Sequence, residues 1–416
     1  MILGKQESSQ IRLNDFIANV QSNNELHKIL FIVPTHRNKR DLRLRFIRQG
    51  LREGSRKFQI DTLDNFAGQL LIKCGNQARM LDDASGFVFL RQAIKTTKPD
   101  YLKPYKENIP EGIQKILYSI FTSWCRENIN IQDLRISAEQ LPDYEKKRLS
   151  DIVDLFESFI RTTNAAGFIT AGDMFLLLVN NNEDLGSHFH SLYPEVETII
   201  IRGYSEFANL DIEFIDRLSI LQGINLFIEL DYFEHNSEAF GAIKECYDKF
   251  LRRGFLKIED LEEDRDDSFI LAAKSSLFLH HREKNEDSRF TDKISILTTA
   301  SPAEEIRTIA KEIKRLCIES KTAPAKICVI VNAIHDYAQI VKNTFLEYSI
   351  PLNLTDRPYL SSLLPVIDIM SFLEILQEDF SYDAIMRTFS GELIPIYKCS
   401  LSDIRQVAVK YRIVRG

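Results

Sequence analysis

"KILFIVPTHRNKRDLRLRFIRQGLREGSRKFQIDTLDNFAGQLLIKC", residues 28–74, sets the fold class of this chain. Lys28 to Thr35 is an unbroken apolar run, the pattern of a strand covered on both faces. A basic segment follows, with Leu44, Ile47 and Leu51 on one side of a helical wheel and Arg45, Arg48 and Arg52 forming a separate stripe beside Arg37. Phe58 to Leu63 reads as a second short strand, and "DNFAGQLLIKC" begins another helix. Strand–helix–strand–helix in this rhythm predicts a parallel, helix-covered sheet.

Upstream, "MILGKQESSQIRLNDFIANV" (residues 1–20) has a short strand to Leu3, then Gly4, a polar loop, and a helix whose apolar face is Ile11, Phe16, Ile17 and Val20. A phosphate-binding loop requires Gly, four residues, then Gly-Lys-Ser/Thr at the head of such a helix. Counting on from Gly4 gives Ser9, Gln10 and Ile11, so the phosphate lysine and the magnesium-holding hydroxyl are both replaced.

Downstream, strand signals fade between about 80 and 182, where "EGIQKILYSIFTSWCREN" and "EKKRLSDIVDLFESFIRTTN" are amphipathic helices. Strand character returns at Val196 to Phe207 and Gly223 to Phe233, around the helix "LDIEFIDRLSIL". These patterns predict a first α/β domain over 1–80 and 190–257, with an α-helical insertion over 81–189. A polar linker over 258–290 carries "IEDLEEDRDD" and "HHREKNEDSRFTDK". The start of a second α/β domain over 291–360 has strands at Ile294 to Thr298 and Ile327 to Val331. A helical segment over 361–416 follows, with no closing element, as in a truncated chain.

With 416 residues, 44% hydrophobic and 27% charged, the chain is long enough for two or three globular domains. No apolar run reaches the roughly 18 residues of a membrane span, and no secretory leader pattern opens the sequence. Cys74, Cys125, Cys246, Cys317, Cys328 and Cys399 are scattered without a C-x-x-C pair, which argues for reduced thiols in a cytoplasm and against a zinc or iron–sulfur site here. Net charge is −7, yet His36 to Lys57 holds nine Lys/Arg against Asp41 and Glu53. This segment could neutralise phosphates, or be a solvated helix face paired with acids elsewhere. His188, His190, His280 and His281 lack companion ligands, Asp173 suits a helix first turn, and no G-x-S-x-G, H-E-x-x-H or Cys–His signature occurs. No catalytic and no metal-binding residue is expected.

Seven segments, in order from about Met1 to Ser362, resemble the motifs of superfamily 1 DNA helicases of the UvrD type: "GKQESSQI", "VPTHRNKRDLRLRF", "DTLDNFAGQLL", "FESFIRTTNAAGFITAGDMFLLL", "VETIIIRGYSEFANLDIEFIDRL", "TTASPAEEIRTIAKEIKRL" and "KICVIVNAIHDYAQIVKNTFLEYSIPLNLTDRPYLSS". The resemblance implies a P-loop NTPase-like (RecA-like) fold. It aligns Arg202 and Gly203 with the Walker B acidic pair, "ELDYF" (Glu229 to Phe233) with the γ-phosphate sensor and Asn332 with a second-domain arginine. Gly4, Ser9, Gln10, Ile11, Arg202 and Gly203 would then be a nucleotide site without its chemistry.

Such degenerate modules resemble the AddB/RexB subunit of helicase–nuclease complexes, in which a PD-(D/E)XK nuclease domain with an iron–sulfur cluster follows. Arg202 departs from that group's pattern too. The resemblance implies a non-catalytic scaffold in DNA end processing. Its expected partners are single-stranded or end-containing DNA and an active UvrD-like helicase subunit, with no membrane. No cofactor is expected in this segment; iron–sulfur and Mg²⁺ would belong to a nuclease domain outside it. By position in the family, Thr35, His36, Arg37, Asn38 and Lys39 form a first DNA-contacting turn and Thr62 and Asn65 a second, with Arg45, Arg48 and Arg52 as secondary contacts. A protein-interaction scaffold without DNA binding, and an active nucleotide-dependent enzyme using Lys5, are the alternatives.

Overall fold

In a computed structural model of the chain, the residues described are 1–5, 25–48, 59–105, 109–180, 185–234, 236, 238–259, 268–278, 293–354, 360, 363–391, 393 and 399–414. They divide into two compact units, Met1–Asp287 and Ser288–Gly416.

The first unit begins with β1 (Ile2–Gly4), β2 (Ile29–Ile32), α1 (His36–Arg48), β3 (Gln59–Asp61), α2 (Leu63–Lys73) and β4 (Arg79–Met80). Helices α3 (Asp83–Thr97), α4 (Glu111–Arg126), α5 (Ile131–Glu139) and α6 (Asp143–Ala165) follow. The chain returns through β5 (Phe168–Ile169), α7 (Ala171–Asn180), α8 (Leu185–Leu192), β6 (Thr198–Tyr204) and α9 (Asn209–Leu218). It ends in β7 (Asn225–Leu230), α10 (Gly241–Arg252), β8 (Leu256–Glu259) and α11 (Ser268–Ser276).

Six strands form one sheet in the order β3-β2-β6-β7-β1-β8. Strands β3, β2, β6 and β7 are mutually parallel, with Ile29 to Ile32 opposite Thr198 to Ile201. Period-2 alternation sorts their side chains between two cores. Leu30, Ile32, Ile199, Ile201, Leu226 and Ile228 face helices α2, α7, α8, α9 and α10, while Ile29, Phe31, Ile200 and Phe227 face α1. Phe66 of α2 is fully buried, its ring 5.8–6.2 Å from Phe189, Tyr193 and Phe214. Burying one such side chain contributes about 1.5–3 kcal/mol.

This is the helix-covered, mostly parallel sheet that the residue pattern predicts and the P-loop NTPase-like architecture that the resemblance implies, with one reversal. β1 pairs antiparallel with both β7 and β8. Ile2 therefore lies level with Glu229, and Gly4 level with Phe227, further toward the N-terminal ends of the parallel strands.

The basic helix also differs from its wheel reading. Its buried residues are Leu42 and Phe46, one turn apart, with Phe46 packed at 5.4 Å on Phe31. Leu44 and Ile47 are 42% and 39% exposed. At 100° per residue, Leu44 and Ile47 point more than a quarter turn away from the Leu42/Phe46 direction.

The helical insertion has its own core, built on Leu90, Leu117, Phe121, Leu155, Phe156 and Phe159. Its entry and exit are closed by the parallel pairing of β4 with β5. Helices α7 and α8, placed in the insertion by sequence, instead contribute Met174, Phe175, Leu178, Leu185 and Phe189 to the sheet's core, so the compact insertion ends near residue 169 rather than 189. A Cβ on Gly172 would collide with the Cys125 carbonyl, so only glycine lets α7 pass α4 this closely. The expected linker also shortens: β8 pairs with β1, and Asn236 donates to the carbonyls of Lys274 and Leu277 beside α11. His280, His281 and most of "HHREKNEDSRFTDK" lie outside the described residues.

The second unit contains α12 (Pro302–Glu319), α13 (Ile334–Glu347), α14 (Leu364–Gln377), α15 (Tyr382–Ser390) and α16 (Leu401–Tyr411). Ser301 caps α12 by accepting from the Glu304 amide, with Pro302 at the first helical position. Ile306, Ala310, Ile313, Val341, Phe345 and Ile350 form its core, against which Ile327 and Val329 pack. No strand is formed among the described residues of this unit: 294–298 and 327–331 carry no ladder, and Ile296 and Ile330 are 91% and 87% exposed. An apolar run becomes a strand only where a neighbour takes its backbone hydrogen bonds. Among the described residues no helix is long and apolar enough to cross a membrane.

Candidate nucleic-acid interface

Two turns sit side by side at the C-terminal ends of β2 and β3, and they are built alike. After β2, Thr35 caps α1: its hydroxyl accepts from the Asn38 amide at 3.1 Å and donates to the Asn38 side chain. After β3, Thr62 caps α2 by accepting from the Asn65 amide at 3.3 Å. Both are Thr-x-x-Asn, "THRN" and "TLDN", a repetition visible in the sequence once the two turns are known to be neighbours. Each sets the N-terminus of a helix at the same edge of the sheet, where the helix dipole favours an anion.

Tyr204, at the end of β6, ties the two turns together. Its hydroxyl donates to the Val33 carbonyl at 3.0 Å and accepts from the Leu63 amide at 3.3 Å. Its ring stacks on Phe207 with centroids 4.8 Å apart, and burial pushes the phenol pKa up, so it stays protonated. Gly203 makes this reach feasible: it sits at a register shift between β6 and β7 with φ of +79°, a backbone conformation that favours glycine. The position matched to a Walker B glutamate is thus a bulge that turns Tyr204 toward the turns.

Asp61, the last residue of β3, lies beneath them and is 5% exposed. Its carboxylate accepts from the Thr62 amide at 2.9 Å, Asn65 Nδ2 at 2.6 Å, Gln69 Nε2 at 3.4 Å and Lys39 Nζ at 3.2 Å. Gln69 in turn accepts from the Tyr193 hydroxyl at 3.4 Å, and burial, with Asp61 nearby, pushes that phenol up to about 12. Asp61, Gln69, Tyr193 and Tyr204 are the site residues that sequence reasoning missed; Asp61, Gln69 and Tyr204 lie inside the motif-like segments but at positions given no role there, and their roles follow from burial and hydrogen bonding.

Of the residues expected to touch DNA, Thr35, His36, Asn38, Arg45, Arg48 and Asn65 are exposed. Arg37 and Lys39, expected to be exposed, are half-buried: Arg37 lies 3.9 Å from Asp41 and Lys39 pairs with Asp61. Arg52 lies outside the described residues.

The residues matched to a nucleotide site do not converge. Lys5, following Gly4, pairs with Asp216 at 2.6 Å and lies over the Phe255 ring, at the N-terminal edge of the parallel strands. Arg202 is at the opposite edge, bound to Glu229 at 3.0 Å. Ser9, Gln10 and Ile11 are outside the described residues. Among the described residues no three His, Cys, Asp or Glu side chains cluster as a metal site requires. Asp173 serves the first turn of α7, accepting from the Thr170 amide and hydroxyl.

One further contact bears on the second turn. Arg126, at the end of α4 in the insertion, pairs with Asp64 at 2.7 Å and Asp211 at 2.8 Å and lies 4.7 Å over the Phe175 ring. Burial opposes the Arg126 charge, but the two carboxylates outweigh it and hold its pKa up. Burial raises the Asp211 pKa, against the pull of Arg126.

Residues 1–255 match the family model described as ADDB, N-terminal, and residues 243–413 match the UvrD-like helicase C-terminal domain. The chain is 23% identical over 376 residues to the B subunit of the ATP-dependent helicase/deoxyribonuclease of Clostridium novyi (strain NT), covering 86% of this chain and 32% of that protein. It is 25% identical over 368 residues to the protein of the same name from Bacillus thuringiensis (strain Al Hakam), covering 82% and 30%. It thus spans about a third of the length of these curated relatives.

Proposed function

The chain belongs to the ADDB, N-terminal family, and on that premise we propose that it is a non-catalytic, DNA-binding scaffold of a helicase–nuclease acting at DNA ends. In this reading the first unit holds single-stranded or end-containing DNA on the two Thr-x-x-Asn turns, with Arg45 and Arg48 as secondary phosphate contacts. It binds no ATP, and an active UvrD-like subunit supplies the motor. The observation that carries the reading is the pair of like turns tied by Tyr204 at the carboxyl ends of adjacent parallel strands. That edge is where open α/β sheets bind ligands, and here it adjoins the most basic segment of an otherwise acidic chain. Loss of ATP binding is supported by the replaced Ser9-Gln10-Ile11 and by Arg202, a cation paired with Glu229 where a magnesium-holding carboxylate would stand. The relatives are each named as one subunit of a helicase/deoxyribonuclease, which supports a partner for this chain. Six free thiols fit a cytoplasmic setting.

The test is the salt dependence of oligothymidylate binding, followed by fluorescence anisotropy. Backbone contacts make log affinity fall linearly with log salt, and each phosphate contact removed lowers the slope by about 0.7. Arg37→Ala is expected to lower it by about that much. Arg161→Ala, on an exposed face of the insertion, is expected to leave it unchanged. Equal effects from the two, or no wild-type binding at low salt, would leave a protein-interaction scaffold as the better account.

A further inference from the structure

Resting on that DNA-binding reading, we infer that Asp61 is an internal competitor for the DNA phosphate, holding Lys39 out of the interface until a strand displaces it. Lys39 is in the turn that faces the proposed strand, yet its ammonium is 3.2 Å from Asp61 Oδ1. The carboxylate is firmly set: its side chain is 8% exposed, and it also accepts from one backbone amide and the amide groups of Asn65 and Gln69. The lysine is the movable partner, 29% exposed on a flexible four-carbon stem.

Two consequences follow. Where Lys39 stays on Asp61 it neutralises no phosphate and releases none of the cations condensed on the DNA, so it contributes less to the salt slope than an exposed lysine would. Moving it onto a phosphate also costs the existing ion pair and leaves Asp61 buried with its amide partners alone. Affinity in the resting protein is therefore lower than the count of cations at the turn implies. Asn65 is affected as well, because its side-chain amide is held by Asp61 Oδ2 at 2.6 Å. Release of Lys39 leaves that bond in place, so the second turn keeps its shape while the first gains a contact.

The experiment is a double-mutant cycle on oligothymidylate binding by the full chain: wild type, Asp61→Asn, Lys39→Ala and the double variant. Asparagine preserves the shape and the acceptor for the Thr62 amide while removing the charge. Asp61→Asn is expected to bind about fivefold more tightly at low salt, with a salt slope steeper by up to about 0.7, the limit set by a wild-type complex in which Lys39 stays on Asp61. In the Lys39→Ala background the same change is expected to do nothing. Equal tightening in both backgrounds would reduce Asp61 to one more negative charge near the strand and overturn the inference. Unchanged or weaker binding by folded Asp61→Asn would overturn it as well, while leaving the DNA reading intact. Absence of binding by all four proteins would remove the DNA reading and this one with it. Where Asp61→Asn does not fold, Asp61→Ser keeps a short acceptor and serves the same comparison.

Discussion

Replacing Tyr204 with phenylalanine removes one oxygen and nothing else from the edge where the two turns meet. The ring stacking on Phe207 at 4.8 Å is retained, so the change isolates the bonds to the Val33 carbonyl and the Leu63 amide. Each such bond contributes about 1 kcal/mol net, and the loss leaves two half-buried backbone groups short of a partner, so the expected cost is about 2 kcal/mol. In a unit this large that corresponds to a fall in melting temperature of roughly 4–8 °C. The functional effect is separate. With the tie gone, at least one turn residue must be ordered on binding, at about 1 kcal/mol, so single-strand affinity is expected to fall about fivefold. No charge has changed, so the salt slope should stay at the wild-type value. Hydrogen exchange at the Leu63 amide, melting, and oligothymidylate anisotropy at several salt concentrations read these effects separately. Unchanged exchange at Leu63 together with unchanged affinity would refute the claim that Tyr204 couples the turns; a changed slope would refute the claim that it acts by position alone.

Arg126→Met should lower unfolding free energy by about 3 kcal/mol at neutral pH, because Asp211 is left charged and buried. Burial already raises the folded Asp211 pKa against the pull of Arg126, and losing Arg126 raises it further, so this deficit should be full above the variant's pKa and shrink as pH falls from there toward the wild-type protein's own raised value; denaturant titrations at neutral and acid pH check it. Cys125, whose thiol burial pushes up to about 12, and Cys246, also raised by burial, should alkylate far more slowly than the exposed Cys328 and Cys399, as mass spectrometry after timed iodoacetamide treatment would show. Isothermal titration with Mg²⁺-ATP should give no binding heat in the micromolar range; saturable heat or steady hydrolysis would contradict the lost-site reading.

The parallel sheet was legible because its strands are buried on both faces: the continuous runs at Ile29 to Val33 and Thr198 to Ile201 leave no other pattern to read. The direction of β1 was not, since three apolar residues fit either orientation and only the ladder with Ile228 chooses between them. Helices α7 and α8 escaped assignment for a similar reason; their apolar faces look alike whether they meet the insertion or the sheet. At the site, the threonines and asparagines were found by family position, whereas Asp61 and Tyr204 emerged only from geometry. A lone carboxylate at a strand end and a tyrosine after glycine have many ordinary explanations in sequence. What distinguishes them is the set of donors and acceptors brought to each oxygen.

The central claim, that single-stranded DNA lies across the two Thr-x-x-Asn turns, is tested most directly by photocrosslinking. A short oligonucleotide carrying 5-iodouracil at each position in turn would be irradiated with the protein at low salt and the attached peptides sequenced. The account predicts crosslinks within Thr35 to Lys39, with His36 foremost as an exposed ring, and within Thr62 to Asn65, both suppressed by added salt. Crosslinks confined to the second unit, or to the Gly4–Lys5 edge of the sheet, would contradict it.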